Sequence, residues 1–364
     1  MKIGIYTIHS HYNYGAMFQA YATQKAIEKL GFEVELVNLY TKKKELENEN
    51  NVFSTKPKKF LSYLYSKLSP KVQLKYLRFR KFHQSMILSN RYYTVDEIYR
   101  NPPQYDIHLV GSDQVWNLEN GFSAQPYYFL SFLNPNAIKI AFASSFGVSE
   151  ISNIYDGELN QLLSNFKAIA VREDEGVEII RKATGIAAKQ VMDPTFLLSQ
   201  KEWSSLDISK PIVDGDYIFC YGFDDSDNSK EMIESIREKL KLPIVIVSVS
   251  LFFPFKVDKF IKEAGPVEFI NLVRNAKFIC SSSYHGIAFA IHFKKSFFST
   301  KHPTRNSRMR TMLDKVNLIH RQLDNPKDIL DMTDEQLMIN YKELENEIKT
   351  AIGESKLWLK NNLN

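Results

Sequence analysis

A histidine, several arginines and a few acids stand where short apolar runs of this sequence end. His285 lies in Ser281-Ser282-Ser283-Tyr284-His285-Gly286, between the strand-like run Lys277–Ser281 and the apolar helical pattern Gly286–Phe293. An imidazole at such a helix N-terminus, beside small hydroxyl residues, is placed to move a proton. The competing reading is a buried structural histidine. That reading suits His292, seven residues on along the same helical face. Arg172, in Val171-Arg172-Glu173-Asp174, follows a second strand-like run, where a guanidinium suits bidentate recognition of carboxylate or phosphate. Its pairing with Glu173 or Asp174 is the weaker reading, because sequential neighbours diverge. Arg305, Arg308 and Arg310 cluster in Thr304–Arg310, either as an anion clamp or as solvated charges, and Arg308 is the one expected to clamp.

Other segments supply hydroxyl, amide and carboxylate groups. Gly111-Ser112-Asp113-Gln114-Val115-Trp116-Asn117 leaves the run Asp106–Val110, and Ala143-Ser144-Ser145-Phe146-Gly147 leaves Ile138–Ala143. Ser112, Gln114, Trp116, Asn117, Ser144 and Ser145 are therefore expected on the rim of a site. Asp113 is expected either to activate a hydroxyl or to hold its loop. Asn13-Tyr14-Gly15-Ala16 opens a helix, whose free N–H groups suit an anion near Asn13 and Gly15 unless the turn is merely capped. In Met192-Asp193-Pro194-Thr195, the proline makes Asp193 extended and a turn former. His9 and His11 form an HxH pair with no evident carboxylate partner, so no metal site is expected. Neither GxGxxG nor GxxxxGK[ST] occurs, which leaves dinucleotide and P-loop readings without direct support.

The elements that must position these residues read as a repeated α/β grammar. Lys2–Ile8 is a strand, Ala16–Leu30 a helix ended by Gly31, and Phe32–Asn38 a strand, which makes a βαβ unit. Short strands follow at Asp106–Val110, Ile138–Ala143, Ala168–Val171 and Gln190–Met192. After a Ser-, Pro-, Asp- and Gly-rich stretch at Ser209–Asp216 a second series begins. It runs as strand Tyr217–Tyr221, helix Ser229–Leu240, strand Ile244–Val249, helix Val267–Asn275, strand Lys277–Ser281 and helix Gly286–Phe293. We therefore expect two doubly wound domains, 1–208 and 209–332, with a closing helix in 333–364 and ligands at strand C-termini in the cleft.

With 364 residues, at roughly 150 per domain, the length agrees with two domains. An apolar share of 44% and a charged share of 24% exclude a disordered or fibrous chain. Cys220 and Cys280 form no CxxC, which excludes a disulfide scaffold or cysteine-built zinc site and suits a reducing compartment. The first residues turn polar at His9, too soon for a signal-peptide core, and no apolar run approaches a membrane span, so a cytoplasmic location is expected. The net charge of +5 belongs to one segment. Between Asn50 and Thr94 there is no acid but there are Lys56, Lys58, Lys59, Lys67, Lys71, Lys75, Arg78, Arg80, Lys81 and Arg91. This insertion, 50–95, interleaves bases and aromatics, so 53–93 reads either as a docking face for an anionic membrane surface or as a solvated helical insertion. No nucleic-acid signature accompanies it.

In chain order, these segments resemble the polysaccharide pyruvyl transferase family. The resemblance is carried by Asn13–Ala16 with Gln19-Ala20-Tyr21, Gly111–Asn117, Ala143–Gly147, Val171-Arg172-Glu173, Met192–Thr195, Tyr284-His285-Gly286 and Asn306-Ser307-Arg308, and it covers about residues 1 to 315. It implies a GT-B-like fold of two Rossmann-like domains, acceptor side first and donor side second. It also implies transfer of pyruvate from phosphoenolpyruvate, the donor substrate, onto a sugar as a cyclic ketal, without a cofactor. Arg172 and His285 would then stand around the donor, with Ser283 and Tyr284 beside them. Some members carry arginine where this chain has Ser283, so the remaining donor contact would fall to Arg308, Arg305 or Lys295. Acceptors of this kind are sugars of capsular or exopolysaccharide precursors, many on lipid carriers, which would give segment 53–93 a purpose. The alternatives are a GT-B glycosyltransferase using a nucleotide sugar and a non-catalytic glycan- or anion-binding protein.

Overall fold

A computed structural model describes residues 1–9, 12–39, 68–92, 94–118, 126–152, 155–207, 209–248, 253, 255–301 and 306–364. The first domain opens with β1 (Lys2–Tyr6), α1 (Tyr14–Lys29) and β2 (Glu33–Leu36), followed by α2 (Pro70–His83), β3 (Ile107–Val110) and β4 (Lys139–Ser144). Then come α3 (Asp156–Leu163), β5 (Ala168–Val171), α4 (Asp174–Thr184) and β6 (Lys189–Gln190). The second domain runs β7 (Ile218–Tyr221), α5 (Asp227–Leu240), β8 (Ile244–Val247), β9 (Lys259–Phe260), α6 (Pro266–Asn275), β10 (Phe278–Ser281) and α7 (Tyr284–His292). It closes with β11 (Ser296–Thr300), α8 (Ser307–Lys315), β12 (Gln322–Leu323) and α9 (Glu345–Leu363).

Each domain has a six-stranded parallel sheet, ordered β2-β1-β3-β4-β5-β6 and β12-β11-β10-β7-β8-β9. The second order is that of a Rossmann domain, with its switch point between β7 and β10. In the first domain the position outside β2 is filled by residues 87–92, which bridge Leu36 to Leu88 and Leu39 to Tyr92 in parallel fashion. With that rudimentary strand the two sheets share one plan. β1 and β7 are buried along nearly their whole length, as parallel strands covered on both faces must be. Asn13 caps α1 through Ala16 N–H at 3.2 Å, and Gly31 (φ +88°) terminates it as the sequence pattern predicts.

The domains share one apolar core. Phe18 of α1 packs edge-on to Trp203 (ring centroids 5.5 Å apart) and lies 4.6 Å from Phe289 of α7, while Phe269 of α6 lies 4.8 Å from Tyr14. A continuous aromatic interface of this kind opposes free domain motion. The last helix returns to the first domain: Met192 N–H donates to Ser355 Oγ at 2.9 Å, and Trp358 stacks on Phe142. The expected closing helix is thus real but shorter than 333–364, because a turn at Asp334–Leu337 precedes it.

The basic insertion is only partly described; Lys56, Lys58, Lys59 and Lys67 lie outside the described residues. The expected basic face of the rest does not stand free. Lys71 pairs with Glu263 at 3.5 Å, Arg78 Nε with Glu268 at 3.0 Å, and Lys75 is buried against the second domain. Their helical spacing serves domain–domain docking.

Candidate functional site

The C-terminal ends of the two sheets meet, and the residues leaving the strands touch across the junction. Arg172, just after β5, is fully buried. Its Nη1 donates to Asp193 Oδ2 at 2.8 Å and its Nη2 lies 3.6 Å from Asp113 Oδ1. Asp193 leaves β6 and also accepts from Thr195 N (2.9 Å), Thr195 Oγ1 (2.8 Å) and Ser112 Oγ (3.2 Å). Across the junction His285 Nε2 stands 3.5 Å from the same Asp193 oxygen. Burial alone would raise the Asp193 carboxyl, but the opposing charges of His285 and Arg172 outweigh it and hold the group far below the usual carboxylate range. Asp193 is therefore both the turn former that its proline suggests and the charged hub of the site.

Glu173 is the second buried carboxylate. Its Oε1 accepts from Ser145 Oγ (2.9 Å), Phe146 N (2.8 Å) and Gly147 N (3.1 Å), which fixes the loop after β4, while its Oε2 has no partner. Burial pushes its pKa up, against the nearby guanidiniums. Ser144 Oγ donates to Gly111 O at 3.1 Å. The hydroxyls of Ser112, Ser144 and Ser145 are thus engaged within the first domain, holding its loops and carboxylates. Asp113 sits at φ 77° with Oδ1 taking the N–H of Gln114, and its carboxylate faces Arg172. It holds the loop and faces its neighbouring cation.

Arg308, at the start of α8, is the more open guanidinium. Its charge centre lies 5.9 Å from the Tyr284 ring centroid, and that of Arg172 lies 5.2 Å from the same ring. Tyr284 is nearly enclosed and its hydroxyl is pushed up by burial. Burial and the like charge of Arg172 bring Arg308 down to about 10. With its carboxamide oxygen turned toward Arg308, Gln114 accepts from Nη1 at 3.2 Å and also from Nη2. Arg308 Nε, Arg172 Nε and Ser307 Oγ are buried without hydrogen-bond partners.

Gly15 explains how the two walls come so close: a Cβ there would lie 2.6 Å from His285 Cε1. The N-termini of α1, α7 and α8 therefore converge with Arg172 and Arg308, and none of the three has an acid in its first turn. Unpaired N–H groups, helix dipoles and two guanidiniums make this the anion-seeking part of the molecule.

Several expected residues stand elsewhere. Trp116 is not on the rim; it is wholly buried, stacked on Phe129 and donating to Tyr128 O at 3.0 Å, because its large apolar surface is taken into the first-domain core. Asn117 is buried beside it and Asn13 is exposed as the cap of α1. Ser283 stands at the N-cap position of α7 without a side-chain capping bond and packs against Gly222, with no guanidinium to offer. Lys295 is not at the site: it precedes β11 and feels Asp216 and Lys277, at the opposite edge of the sheet. Arg310 pairs with Glu175, and Arg305 lies outside the described residues, as does His11. His292 is buried packing, its ring 4.6 Å from that of Phe196. Sequence reasoning missed the support that Glu173 gives, since nothing in a lone Arg-Glu pair shows that the glutamate folds back onto the preceding loop.

Two parallel sheets meeting at their C-terminal edges, with a last helix that crosses back, define a GT-B protein. The model of the polysaccharide pyruvyl transferase family matches residues 13–302, and the chain belongs to that family. In fold it is similar to UDP-GlcNAc 2-epimerase from Neisseria meningitidis bound to UDP-GlcNAc (TM-score 0.51, 14% identity, 100% of this chain and 99% of that one). It is likewise similar to UDP-N-acetylglucosamine 2-epimerase from Rickettsia bellii (TM-score 0.54, 11% identity, 100% and 97%). A third similar structure is an alpha-glucosyltransferase in complex with UDP and DNA (TM-score 0.51, 9% identity, 100% and 95%). At such identities the likeness is one of fold. No curated protein matches the sequence. Among the described residues no helix is long and apolar enough to cross a membrane.

Proposed function

We propose that this protein transfers the pyruvyl group of phosphoenolpyruvate onto a sugar of a lipid-linked surface or capsular polysaccharide precursor, as a cyclic ketal, at the cytoplasmic face of the membrane. The observation that carries the reading is the Arg172–Tyr284–Arg308 arrangement. Two like charges flank one buried ring with N–H donors unpartnered, beside a histidine at a helix N-terminus. Burial and the like charge of Arg172 disfavour the Arg308 cation, and a bound anion relieves both. The Arg172 charge is already matched by Asp193 and Asp113, so Arg308 is the principal contact for the donor's carboxylate or phosphate and Arg172 a second one through its free N–H groups.

His285 moves the proton. Asp193 holds Nε2, which leaves Nδ1, the nitrogen beside Gly15, for exchange. The 3.5 Å separation is one that tightens as substrate settles in the site. The imidazolium gives its proton to the methylene carbon of phosphoenolpyruvate, making a methyl group and leaving C2 electron-poor. A sugar hydroxyl adds to C2 and releases its proton. The phosphate leaves with the C2–O bond pair, and a second hydroxyl adds and releases another proton. Of these two protons one restores His285 and one goes to phosphate.

Calorimetric titration of phosphoenolpyruvate into wild type and Arg308→Ala tests this without knowledge of the acceptor. Saturable binding that weakens at least tenfold in Arg308→Ala is expected. Binding of a nucleotide sugar, with none of phosphoenolpyruvate, would move the protein to the glycosyltransferases.

A further inference from the structure

Lys75 is a buried cation with no counter-charge among the described residues, outside the constellation above. It projects from α2, retains 4% of its accessible surface, and donates through Nζ to Ser248 O at 2.8 Å. Its other neighbour is the ring of Tyr14, 5.6 Å from Nζ to the centroid. No described carboxylate acts on it: Glu263 is taken by Lys71 and Glu268 by Arg78. Burial alone pushes the ammonium down to about 8. A purely structural residue at this position would be better served by a methionine or leucine, since a buried ammonium without a counter-charge opposes folding.

Its place in the fold is that of a ligand contact. Ser248 directly follows β8, so Nζ lies at the C-terminal edge of the second sheet, where open α/β sheets bind ligands. It is also one residue away from the donor site. Tyr14 meets Lys75, and Gly15 meets His285. The Tyr14 ring is held rigidly between the two places, through its hydroxyl to Ala264 O (2.6 Å) and its stacking on Phe269.

We propose that Lys75 is the contact for a phosphoryl group carried by the acceptor, in a subsite separated from the donor site by Tyr14. A compact ammonium with spare N–H donors suits a phosphate as a point charge, whereas the planar carboxylate of the donor suits a guanidinium. The inference rests on the donor reading for which of the two sites is which, but not for its own existence. The basic insertion thereby acquires a second role, since α2 clasps the second domain through Lys71 and Arg78 and delivers Lys75 between them.

The probe is inorganic pyrophosphate, titrated by calorimetry into full-length protein saturated with phosphoenolpyruvate, using wild type, Lys75→Met and Lys75→Arg. Pyrophosphate binding to wild type, weakened at least tenfold in Lys75→Met and within about threefold in Lys75→Arg, is expected. Phosphoenolpyruvate binding should stay within twofold in all three. A thermal melt adds a ligand-free readout, in which Lys75→Met should melt higher than wild type. No pyrophosphate binding, binding unchanged in Lys75→Met, equal loss of both ligands, or a lower melt for Lys75→Met would overturn the proposal. If phosphoenolpyruvate fails to bind while pyrophosphate still depends on Lys75, the donor reading falls and this one stands.

Discussion

The two walls of the cleft are built on opposite terms. On the first-domain wall the charged groups answer one another: Arg172 to Asp193, Glu173 to Ser145 and two backbone N–H groups, and Asp193 to Thr195 and Ser112. On the second-domain wall Arg308 Nε and Ser307 Oγ lack hydrogen-bond partners, and His285 Nε2 has only its 3.5 Å approach to Asp193. The first wall is the more completed electrostatic scaffold, with Arg172 Nε and Nη2 and Glu173 Oε2 left without hydrogen bonds, and the second makes fewer internal bonds and faces a ligand with more of its groups. Catalysis needs both, because a proton carrier is useful only when its orientation is set before the substrate arrives. The two meet at a single atom, Asp193 Oδ2, which serves Arg172 and His285 together.

The contrast is tested most strongly at His285. His285→Gln should reduce phosphate release by about 10²–10⁴-fold, the usual worth of a poised acid–base group. The melt and the affinity for phosphoenolpyruvate should change little, since the side chain has few bonds to lose. Near-normal turnover would remove His285 from the chemistry and leave the second wall as a binding surface only.

Asp193→Asn attacks the first wall and should lower stability rather than turnover alone. Removing one member of a buried pair costs about 3–5 kcal/mol, and here it leaves Arg172 with only the longer 3.6 Å contact to Asp113. The sign with pH follows from the depressed folded-state value. The carboxylate stabilises the fold above its ordinary value of 3.8, and that contribution is lost as pH falls. Urea unfolding of wild type and Asp193→Asn should therefore differ fully at pH 7 and begin to converge only as the pH falls below about 4. Equal stabilities at pH 7 would show that the first wall is not the scaffold described.

Gly15→Ala sharpens the comparison from the seam. Its methyl group would overlap the imidazole and turn the ring away from Asp193. A displacement on the order of an ångström is worth up to about 10²-fold in rate. Turnover should fall by about tenfold or more, and the pH profile of kcat should shift with it. An unchanged profile would mean that the ring accommodates the methyl without losing its alignment.

Much of this was legible in the sequence, and the parts that were not share a cause. The strand-end motifs placed Arg172 and His285, because periodicity and chain reversal locate the ends of buried strands, while Arg308 was picked from a cluster of arginines. Trp116 misled because polar neighbours on either side of it say nothing of the core it enters. Lys71, Lys75 and Arg78 were visible as part of one basic insertion, but that they meet Glu263, Glu268 and a carbonyl is a property of domain docking, which no local pattern encodes. Lys295 failed in the same way: as a base close to His285 in sequence it looked available, yet the length of α7 carries it to the far edge of the sheet. Asp193 was read as a turn former and is one; its second role depends on burial, which a single sequence does not display.

His292 offers the finest cut between the walls, since it lies beside the charged hub without joining it. Its ring packs on Phe196 and near Trp203, and burial pushes it down to about 4 from an ordinary 6.5. At pH 7 it is neutral in both folded and unfolded chains, so His292→Phe should change stability by less than about 1.5 kcal/mol, the range of a volume-conserving core swap. At pH 5 the unfolded chain takes up a proton that the folded one refuses, which costs wild type about 2 kcal/mol relative to pH 7. His292→Phe should escape that loss. His108, also pushed down to about 4, keeps its share of the acid sensitivity in both proteins. Urea unfolding at the two pH values measures the difference. Equal acid losses in the two proteins would mean that His292 is charged in the fold, and hence a third cation drawn on Asp193 rather than an inert part of the core behind it.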